Sequence, residues 1–280
     1  MTTIAQCLSN ARQLLQIDAD INAKLEAEIL LAFVLEKPRT YLYTWPEQSL
    51  HAQQLNRYEQ LVNRRNQGEP IAYITGQREF WGLTLQVSPA TLIPRHETER
   101  LVELALQKIP QHGSCTIADL GTGSGAIAIA IASERPHCKL MATDISEQAL
   151  VIARANAEQH GINNITFLHG NWYEPLATHK FDLIVSNPPY VAEHDPHLQQ
   201  ADLRFEPSQA LRAGENGLQD IRHIIKNTAR FLKPQGWLLV EHGFDQAPEV
   251  LELLAVNGFS NILCHQDYAQ RERASQGQLL

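Results

Sequence analysis

The chain has 280 residues, of which 44% are hydrophobic and 19% charged, as is ordinary for a soluble globular protein. This length fits one large domain or two modest ones. The formal net charge of -8 argues against broad, sequence-independent attraction to nucleic acid, which needs Lys and Arg to displace counterions from phosphates, but it leaves room for a local basic groove.

The spacing of the cysteines and the sequence of residues 1–15 bear on redox function and on location in the cell. The four cysteines are far apart in sequence and form no Cys-x-x-Cys pair, which favours inert free thiols over a metal or redox motif. Residues 1–15 lack a basic stretch followed by an apolar core, and no apolar run is long enough to cross a bilayer. We therefore expect a cytoplasmic protein without membrane association.

Residues 1–75 are predicted to form a small helical domain. Apolar residues recur at helical spacing from Ile4 to Leu15, and further helices are predicted over roughly 23–35 and 52–65. This segment carries seven Lys or Arg against eight Asp or Glu, which leaves 16 against 23 for the rest of the chain. Nearly all of the net negative charge therefore lies outside residues 1–75.

The pattern changes beyond residue 75. Partial alternation around Gly82 predicts a β-hairpin linker over residues 76–96. From residue 97 to 280, strands at 116–120, 139–143, 165–168, 181–186 and 237–241 alternate with helices at 97–109, 126–133, 147–160, 218–232 and 246–256. This alternation predicts an α/β fold whose mostly parallel sheet has helices on both faces. The long segment 191–217 is predicted to be an ordered functional loop.

A glycine-rich loop, Gly121-Thr122-Gly123-Ser124-Gly125, follows the first of these strands and opens the next helix. Glycines let the backbone turn sharply and approach a ligand where a side chain would collide. Asp144, at the end of the next strand, can accept hydrogen bonds from both ribose hydroxyls of an adenosine ligand. These features alone fit NAD and S-adenosylmethionine equally well, because Gly121, Gly123 and Ala126 also match the dinucleotide fingerprint.

The strand 181–186 runs directly into the motif Asn187-Pro188-Pro189-Tyr190. Ligands of open α/β sheets bind outside the carboxyl ends of the strands, so this motif should face the same crevice as the glycine loop. The prolines remove two amide donors, which leaves the Asn187 side-chain oxygen and the Pro188 carbonyl as acceptors for both hydrogens of an NH2 group. Tyr190 offers a flat face for a planar amide or base.

This arrangement of acceptors favours methyl transfer to a planar nitrogen. An amide or aromatic amine is a poor nucleophile because its lone pair is delocalised. Acceptors aimed at its hydrogens favour positive charge on the nitrogen, and fixed positioning contributes further. The motif therefore favours S-adenosylmethionine over NAD as the ligand of the glycine loop, and the chemistry requires no metal.

Taken together, these segments resemble the protein-(glutamine-N5) methyltransferases that modify class I peptide chain release factors. The resemblance covers nearly the whole chain, from the helical N-terminal part through segments 92–99, 119–125, 187–190, 204–207 and 241–243. It implies a Rossmann-like class I methyltransferase domain and a role in translation termination. The expected reaction moves a methyl group from S-adenosylmethionine to the glutamine of a Gly-Gly-Gln motif and leaves S-adenosylhomocysteine.

The resemblance also implies roles for individual residues. Asn187 should touch both cofactor and substrate, Trp172 should flank the adenine, and Pro188, Pro189 and Tyr190 should hold the glutamine. The remaining cofactor-binding residues are expected to be Gly121, Thr122, Gly123, Ser124, Gly125 and Asp144. Two positions depart from the family pattern: His96 replaces the usual Pro, and Asn171 replaces the usual Asp. Asn171 can still accept a hydrogen bond from an adenine amino group but carries no charge, which predicts somewhat weaker cofactor binding.

Three alternatives compete with this interpretation. An adenine-N6 DNA or RNA methyltransferase shares the Asn187–Tyr190 motif but predicts a basic recognition region, whereas residues 1–75 are nearly neutral. If the chain were a NAD-binding oxidoreductase, the motif Asn187–Tyr190 would have no function. If it were a non-catalytic partner subunit, neither the glycine loop nor the motif 187–190 would have one. We therefore expect no nucleic-acid substrate, and we expect residues 1–75, which hold no candidate catalytic group, to recognise the protein substrate.

Several other polar residues are predicted to have structural roles. Glu206 is expected to pin the loop 191–217, Arg64 and Arg65 to form a solvated helix face, and Arg271 and Arg273 to be edge charges. The histidines at 96, 194, 197 and 242 have no metal-ligand spacing and are predicted to be solvated or structurally bonded.

Overall fold

The computed structural model describes residues 2–15, 22–199 and 201–280. The chain divides into two compact units, Met1–Gly76 and Gln77–Leu280. Among the residues described, every helix is too short or too polar to cross a bilayer.

The first unit consists of helices α1 (Ile4–Leu15), α2 (Ala23–Leu35), α3 (Arg39–Thr44), α4 (Ala52–Asn66) and α5 (Ile71–Thr75). The three predicted helices are confirmed. The two short ones, α3 and α5, span too few residues to show a helical period in the sequence. Helices α1, α2 and α4 share an apolar core in which the buried Tyr58 hydroxyl donates to the Ala27 carbonyl oxygen at 3.1 Å.

Two charged side chains buried in the first unit, Glu28 and Arg65, are paired. The buried Glu28 carboxylate accepts hydrogen bonds from Arg39 at 2.7 Å and from Tyr43 at 2.6 Å. Burial raises the pKa of Glu28, but these two donors outweigh it and hold the pKa below its ordinary value. The prediction that Arg65 is solvated is wrong: its side chain is 6% exposed and pairs with Glu26 at 2.8 Å.

The second unit begins with an antiparallel hairpin, β1 (Gln77–Phe80) and β2 (Leu83–Gln86), which confirms the hairpin predicted around Gly82. A seven-stranded sheet follows, with the order β5-β4-β3-β6-β7-β9-β8. Its strands are β3 (Thr116–Leu120), β4 (Lys139–Asp144), β5 (Ile165–His169), β6 (Phe181–Ser186), β7 (Leu232–Glu241), β8 (Phe259–Gln266) and β9 (Glu272–Leu279). Strands β3 to β7 are parallel, and β9 runs antiparallel to both β7 and β8.

Five helices cover this sheet: α6 (Glu99–Lys108), α7 (Ala126–Glu134), α8 (Glu147–Gln159), α9 (Gln219–Thr228) and α10 (Ala247–Val256). Two apolar cores lie on opposite faces of the sheet, and alternate residues of the same strand belong to each. In β3, Ile117 packs in the core with α6 and α7, and Ala118 packs in the core with α9 and α10. Successive strand residues point to opposite faces, so helices lie on both sides of the sheet as predicted.

The C-terminal pair β8 and β9 was not predicted, because its sequence is largely polar. The expectation that Arg273 is an edge charge is also wrong. Strand β9 lies inside the sheet between β7 and β8, and the Arg273 side chain is 11% exposed and pairs with Asp267 at 3.3 Å.

The cysteines are free thiols, as predicted, and three of the four are buried. Burial raises the pKa of Cys7 and of Cys264, which keeps both thiols protonated at neutral pH. The Sγ atoms of Cys115 and Cys138 lie 2.9 Å apart at the amino ends of β3 and β4, which the sequence separation did not indicate.

Strand order reverses between β3 and β6. From β3 the chain proceeds outward through β4 to β5, and it then returns to the other side of β3 to form β6. Open α/β sheets bind ligands outside the carboxyl ends of the strands at such a switch point. The glycine loop after β3 and the motif after β6 therefore meet at one crevice.

Candidate active site

The glycine loop turns back from the end of β3 toward β4. The amides of Gly121 and Thr122 both donate to the Thr143 carbonyl oxygen at 2.9 Å. Gly121 has a φ of +73°, and a Cβ there would lie 3.0 Å from the Trp172 ring. Only glycine takes this conformation without strain and leaves room for the indole.

Gly125 serves the helix that follows the loop. Its φ is +85°, and a Cβ would lie 2.8 Å from Ile129 Cδ1 and 3.2 Å from Ala153 Cβ. The absence of a side chain therefore lets α7 and α8 approach each other at this point. In dinucleotide-binding loops, too, one glycine is needed for close packing of the following helix.

A cavity of about 250 Å³ opens at the switch point. Eight of the residues predicted from the sequence line it: Gly121, Thr122, Gly123, Ser124, Asp144, Trp172, Asn187 and Pro189. Gly125, Pro188 and Tyr190 lie outside its wall. Asn171, one of the two departures from the family pattern, also lines the cavity.

Asp144 is held rigidly at the cavity wall. Its Oδ1 accepts a hydrogen bond from the Ser146 amide and its Oδ2 one from the Gly123 amide, both at 2.8 Å. Burial raises its pKa, and these backbone donors oppose the rise. Each carboxylate oxygen has a second lone pair, so the group can still accept hydrogen bonds from a ligand diol.

A second carboxyl, Asp119, lies beneath the glycine loop and is fully buried. Its Oδ2 accepts a hydrogen bond from the Thr122 hydroxyl at 2.6 Å. Burial raises the pKa of Asp119 to about 7, against the effect of its hydrogen-bond donors. Asp119 and Asp144 thus bond to two neighbouring residues of the loop, Thr122 and Gly123.

Trp172 lies in the cavity wall with an unusual backbone conformation, a φ of +47°. Its indole N–H donates to Asp220, a carboxyl in α9 that also lines the cavity. The ring is thus fixed beside Gly121, where it can cover one face of a flat ligand. Nothing local in the sequence pointed to Asp220, which reaches the cavity from beyond the long loop.

The Asn187 side-chain amide makes a hydrogen bond with Thr98. Its Nδ2 donates to the Thr98 hydroxyl at 3.1 Å, which leaves Oδ1 as an acceptor on the cavity side. The preceding Ser186 hydroxyl donates to the Leu120 carbonyl oxygen at 2.7 Å and joins the ends of β6 and β3. Thr98 is buried just before α6, and the sequence did not identify it as a functional residue.

Tyr190 is anchored at both ends. Its hydroxyl donates to Glu241 Oε1 at 3.3 Å, and its carbonyl oxygen accepts from Gln246 Nε2 at 3.0 Å. Burial raises the pKa of the Tyr190 phenol, so it remains a donor at neutral pH. These partners come from the end of β7 and the start of α10, and no role was predicted for them from the sequence.

The loop 191–217 is fastened next to the cavity, as predicted. Buried Glu206 accepts from the Ile93 amide at 3.0 Å and from the Arg95 guanidinium. Arg95 and Pro207 both line the cavity, so this contact closes part of its wall.

The predicted histidines whose side chains are described are solvated or structurally bonded, as expected. His242 is buried and structurally bonded, with Nε2 2.8 Å from the Ser275 hydroxyl, and His194 is exposed. The side chain of His197 is outside the described residues. His96 lies close to Glu79 and Glu99. The Glu79 carboxylate accepts a hydrogen bond from the Gly82 amide, and the Glu99 carboxylate accepts one from the Trp81 amide. That pattern fastens the hairpin turn.

The cavity fits S-adenosylmethionine by the chemistry of its wall. A glycine-rich loop that lets the backbone approach a ligand, an indole face and a carboxylate that can accept further hydrogen bonds match an adenosine, and the Asn187 oxygen faces the same space. The carboxyl group of Asp144 in the cavity wall also favours a ligand that carries positive charge.

Comparisons with known proteins identify the domains and the fold. Residues 6–76 match the PrmC N-terminal domain model, and residues 96–214 match the methyltransferase small domain model. The catalytic domain of hMettl16, solved with the MAT2A 3'UTR hairpin 6, has the same fold. Its TM-score is 0.58 and its identity 16%, and the alignment covers 82% of each chain.

Close relatives carry a single name. The release factor glutamine methyltransferase of Vibrio cholerae is 50% identical over 99% of this chain and 96% of its own length. The protein of the same name from Escherichia coli is 46% identical over 94% of each chain. The protein is thus an S-adenosylmethionine-dependent methyltransferase, and it belongs to the release factor glutamine methyltransferase family.

Proposed function

We propose that this protein methylates the side-chain nitrogen of the glutamine in the Gly-Gly-Gln motif of class I peptide chain release factors. The observation that carries the proposal is the free acceptor Oδ1 of Asn187 at the cavity, in a chain of this family. An acceptor for amide hydrogens at this place matches the chemistry of a primary amide.

The proposed roles of the residues follow from their positions. Asp144 accepts hydrogen bonds from the ribose, and Trp172 covers the adenine. S-adenosylmethionine supplies a methyl group on a positively charged sulfur. Asn187 Oδ1 accepts one hydrogen of the glutamine amide at the cavity wall. The family resemblance, and not a place in that wall, assigns the second hydrogen to the Pro188 carbonyl. Both acceptors stabilise the positive charge that builds up on the amide nitrogen.

Residues 1–75 are proposed to recognise the release factor, ahead of the hairpin linker 76–96 and the catalytic domain 97–280. The first unit exposes two aromatic side chains near each other in sequence, Tyr43 and Trp45, each more than half exposed. Aromatic residues are enriched at protein interfaces.

The proposed function predicts a single modification of an intact release factor. Incubation with the enzyme and S-adenosylmethionine should add the mass of one methyl group, located by mass spectrometry at one glutamine. A release factor in which that glutamine is replaced by glutamate should gain nothing. Methyl transfer to DNA or RNA with the release factor left unmodified would contradict the proposal.

Replacing Asp144 with Ala should weaken binding of S-adenosylhomocysteine, because the ribose loses its charged acceptor. Each hydrogen bond to a charged group contributes about 1.5–3 kcal/mol. Calorimetric titration measures the change, and Asp144→Asn, which keeps one acceptor oxygen, should lose less. Unchanged affinity in Asp144→Ala would remove this residue from the site, and NAD should not bind to any of the three proteins.

A further inference from the structure

We propose that Thr98 and Glu241 are positioning residues that fix the Asn187 side-chain amide with its oxygen toward the substrate nitrogen. The inference rests on the proposed function, since it concerns how the acceptor of that function is oriented. It assigns a task to a buried carboxyl that the methyl transfer itself does not use.

An asparagine amide can occupy the same space in two orientations that exchange its oxygen and its NH2 group. Only the orientation with Nδ2 toward Thr98 leaves Oδ1 as the acceptor in the cavity. The Thr98 hydroxyl alone does not select this orientation, because a hydroxyl can accept from an NH2 group or donate to an oxygen. The choice depends on where the single Thr98 hydrogen goes.

Glu241 provides the destination for that hydrogen. Its carboxyl is 1% exposed at the end of β7, and among the residues that the structure describes its Oε2 is buried without a hydrogen-bond partner. The Thr98 hydroxyl faces the carboxyl closely enough to lower the pKa of Glu241. An ionised carboxylate only accepts hydrogen bonds. Thr98 therefore donates to Glu241 and keeps its oxygen free to accept from Asn187.

The same carboxyl also holds Tyr190, whose hydroxyl donates to Oε1 at 3.3 Å. One buried carboxylate thus lies behind the first and the last residue of the motif 187–190. Removal of its charge would disturb both ends of the motif, while the glycine loop and Asp144 keep their own contacts.

The charge of Glu241 changes in the neutral range. Burial raises its pKa to about 7; Thr98, Arg273 and Tyr190 lower it, and Glu97 raises it. Below this pH the protonated carboxyl becomes a donor to Thr98, which then donates to Asn187 and favours the reversed amide. Turnover should therefore rise as the pH increases through about 7. Asp119 titrates in the same range, so the wild type alone does not isolate the effect.

Matched variants separate positioning from simple structural damage. Thr98→Val keeps the size of the side chain without the hydroxyl, and Thr98→Ser keeps the hydroxyl. We expect Thr98→Val to lower kcat by about 10- to 100-fold, the range for outer partners of functional ligands, with Thr98→Ser close to wild type. In an Asn187→Ala background, Thr98→Val should have no further effect. Wild-type kcat in Thr98→Val, or an equal loss in Thr98→Ser, would overturn the inference.

Glu241→Gln provides the pH test. A glutamine at this position keeps the shape but does not titrate, so the rise of kcat through neutral pH should flatten relative to wild type. A profile in Glu241→Gln that still rises as in wild type would assign the dependence to Asp119 and overturn the role of Glu241. Thermal unfolding of each variant checks that the protein is folded.

A spectroscopic readout makes the test independent of turnover. In protein labelled with 15N-asparagine, the Asn187 side-chain signal is identified by its absence in Asn187→Asp. It should titrate with a midpoint near 7 in wild type and not in Glu241→Gln. An Asn187 signal that does not titrate would overturn the inference. A wild-type enzyme that fails to methylate the release factor would instead overturn the proposed function and leave this readout intact.

Discussion

Asn187→Ala should lower kcat by about 10²–10³-fold, which is the effect of removing one preorganised hydrogen-bonding group from an active site. The wild-type side chain offers Oδ1 at the cavity because its Nδ2 is already bonded to Thr98. Alanine removes the acceptor for an amide hydrogen and leaves Thr98 without this donor. The loss should fall on kcat, since the interaction strengthens as positive charge develops on the nitrogen.

Single-turnover measurements with saturating release factor would isolate the chemical step. Asn171→Ala is a matched control, because Asn171 lines the same cavity but lies beside Trp172. It should weaken binding of S-adenosylhomocysteine and leave kcat nearly unchanged. Near-normal turnover in Asn187→Ala would rule out the proposed role of this side chain.

Gly217→Ala should lower the free energy of unfolding by about 2–5 kcal/mol, the sum of the costs of a left-handed residue and of an overpacked interior. Gly217 is buried with a φ of +71°, and a Cβ there would lie 2.2 Å from the Tyr190 carbonyl oxygen. The same Cβ would meet Gln246 Nε2 at 2.8 Å, the atom that donates to this carbonyl. The clash therefore displaces the end of the motif 187–190, and turnover should fall as well.

Gly258→Ala is the control for this variant. Gly258 also has a positive φ, +82°, but a Cβ there has no atom within 4 Å. It should show only the backbone cost, about 1–2 kcal/mol, and retain normal turnover. Urea unfolding measures both variants, and equal losses in the two would show that the contact with Tyr190 has no effect.

The sequence predicted the part of the fold that rests on local apolar patterns. Strands β3 and β6 have the predicted bounds because each is a short apolar run ending at a turn signal. Strand β9 escaped prediction because its buried Ser275 and Gln276 are polar. Their hydrogen bonds to the His242 and His265 rings make them compatible with burial, and those partners are distant in sequence.

The candidate site shows the same division. The residues whose types identify them within one short motif, such as Gly121 and Asn187, were predicted. Thr98, Glu241 and Gly217 were not predicted. Each contributes by contacting a residue of the motif 187–190, which is distant in sequence. No local sequence pattern indicates such contacts for a threonine just before a helix, such as Thr98, or for a glutamate at the end of a strand, such as Glu241. Only the order of the strands brings them to the same point.

The position of β9 affects how the nascent chain can fold. Strand β7 pairs with β6 on one side, and its other partner, β9, is translated only after α10 and β8. Until residues 272–279 leave the ribosome, the β9-facing edge of β7, which includes the apolar run 237–240, has no partner. Unpaired strand edges promote association with other chains, so this interval is a period of aggregation risk during synthesis. Slower translation of β8 and β9 should extend that interval, whereas faster translation should shorten it.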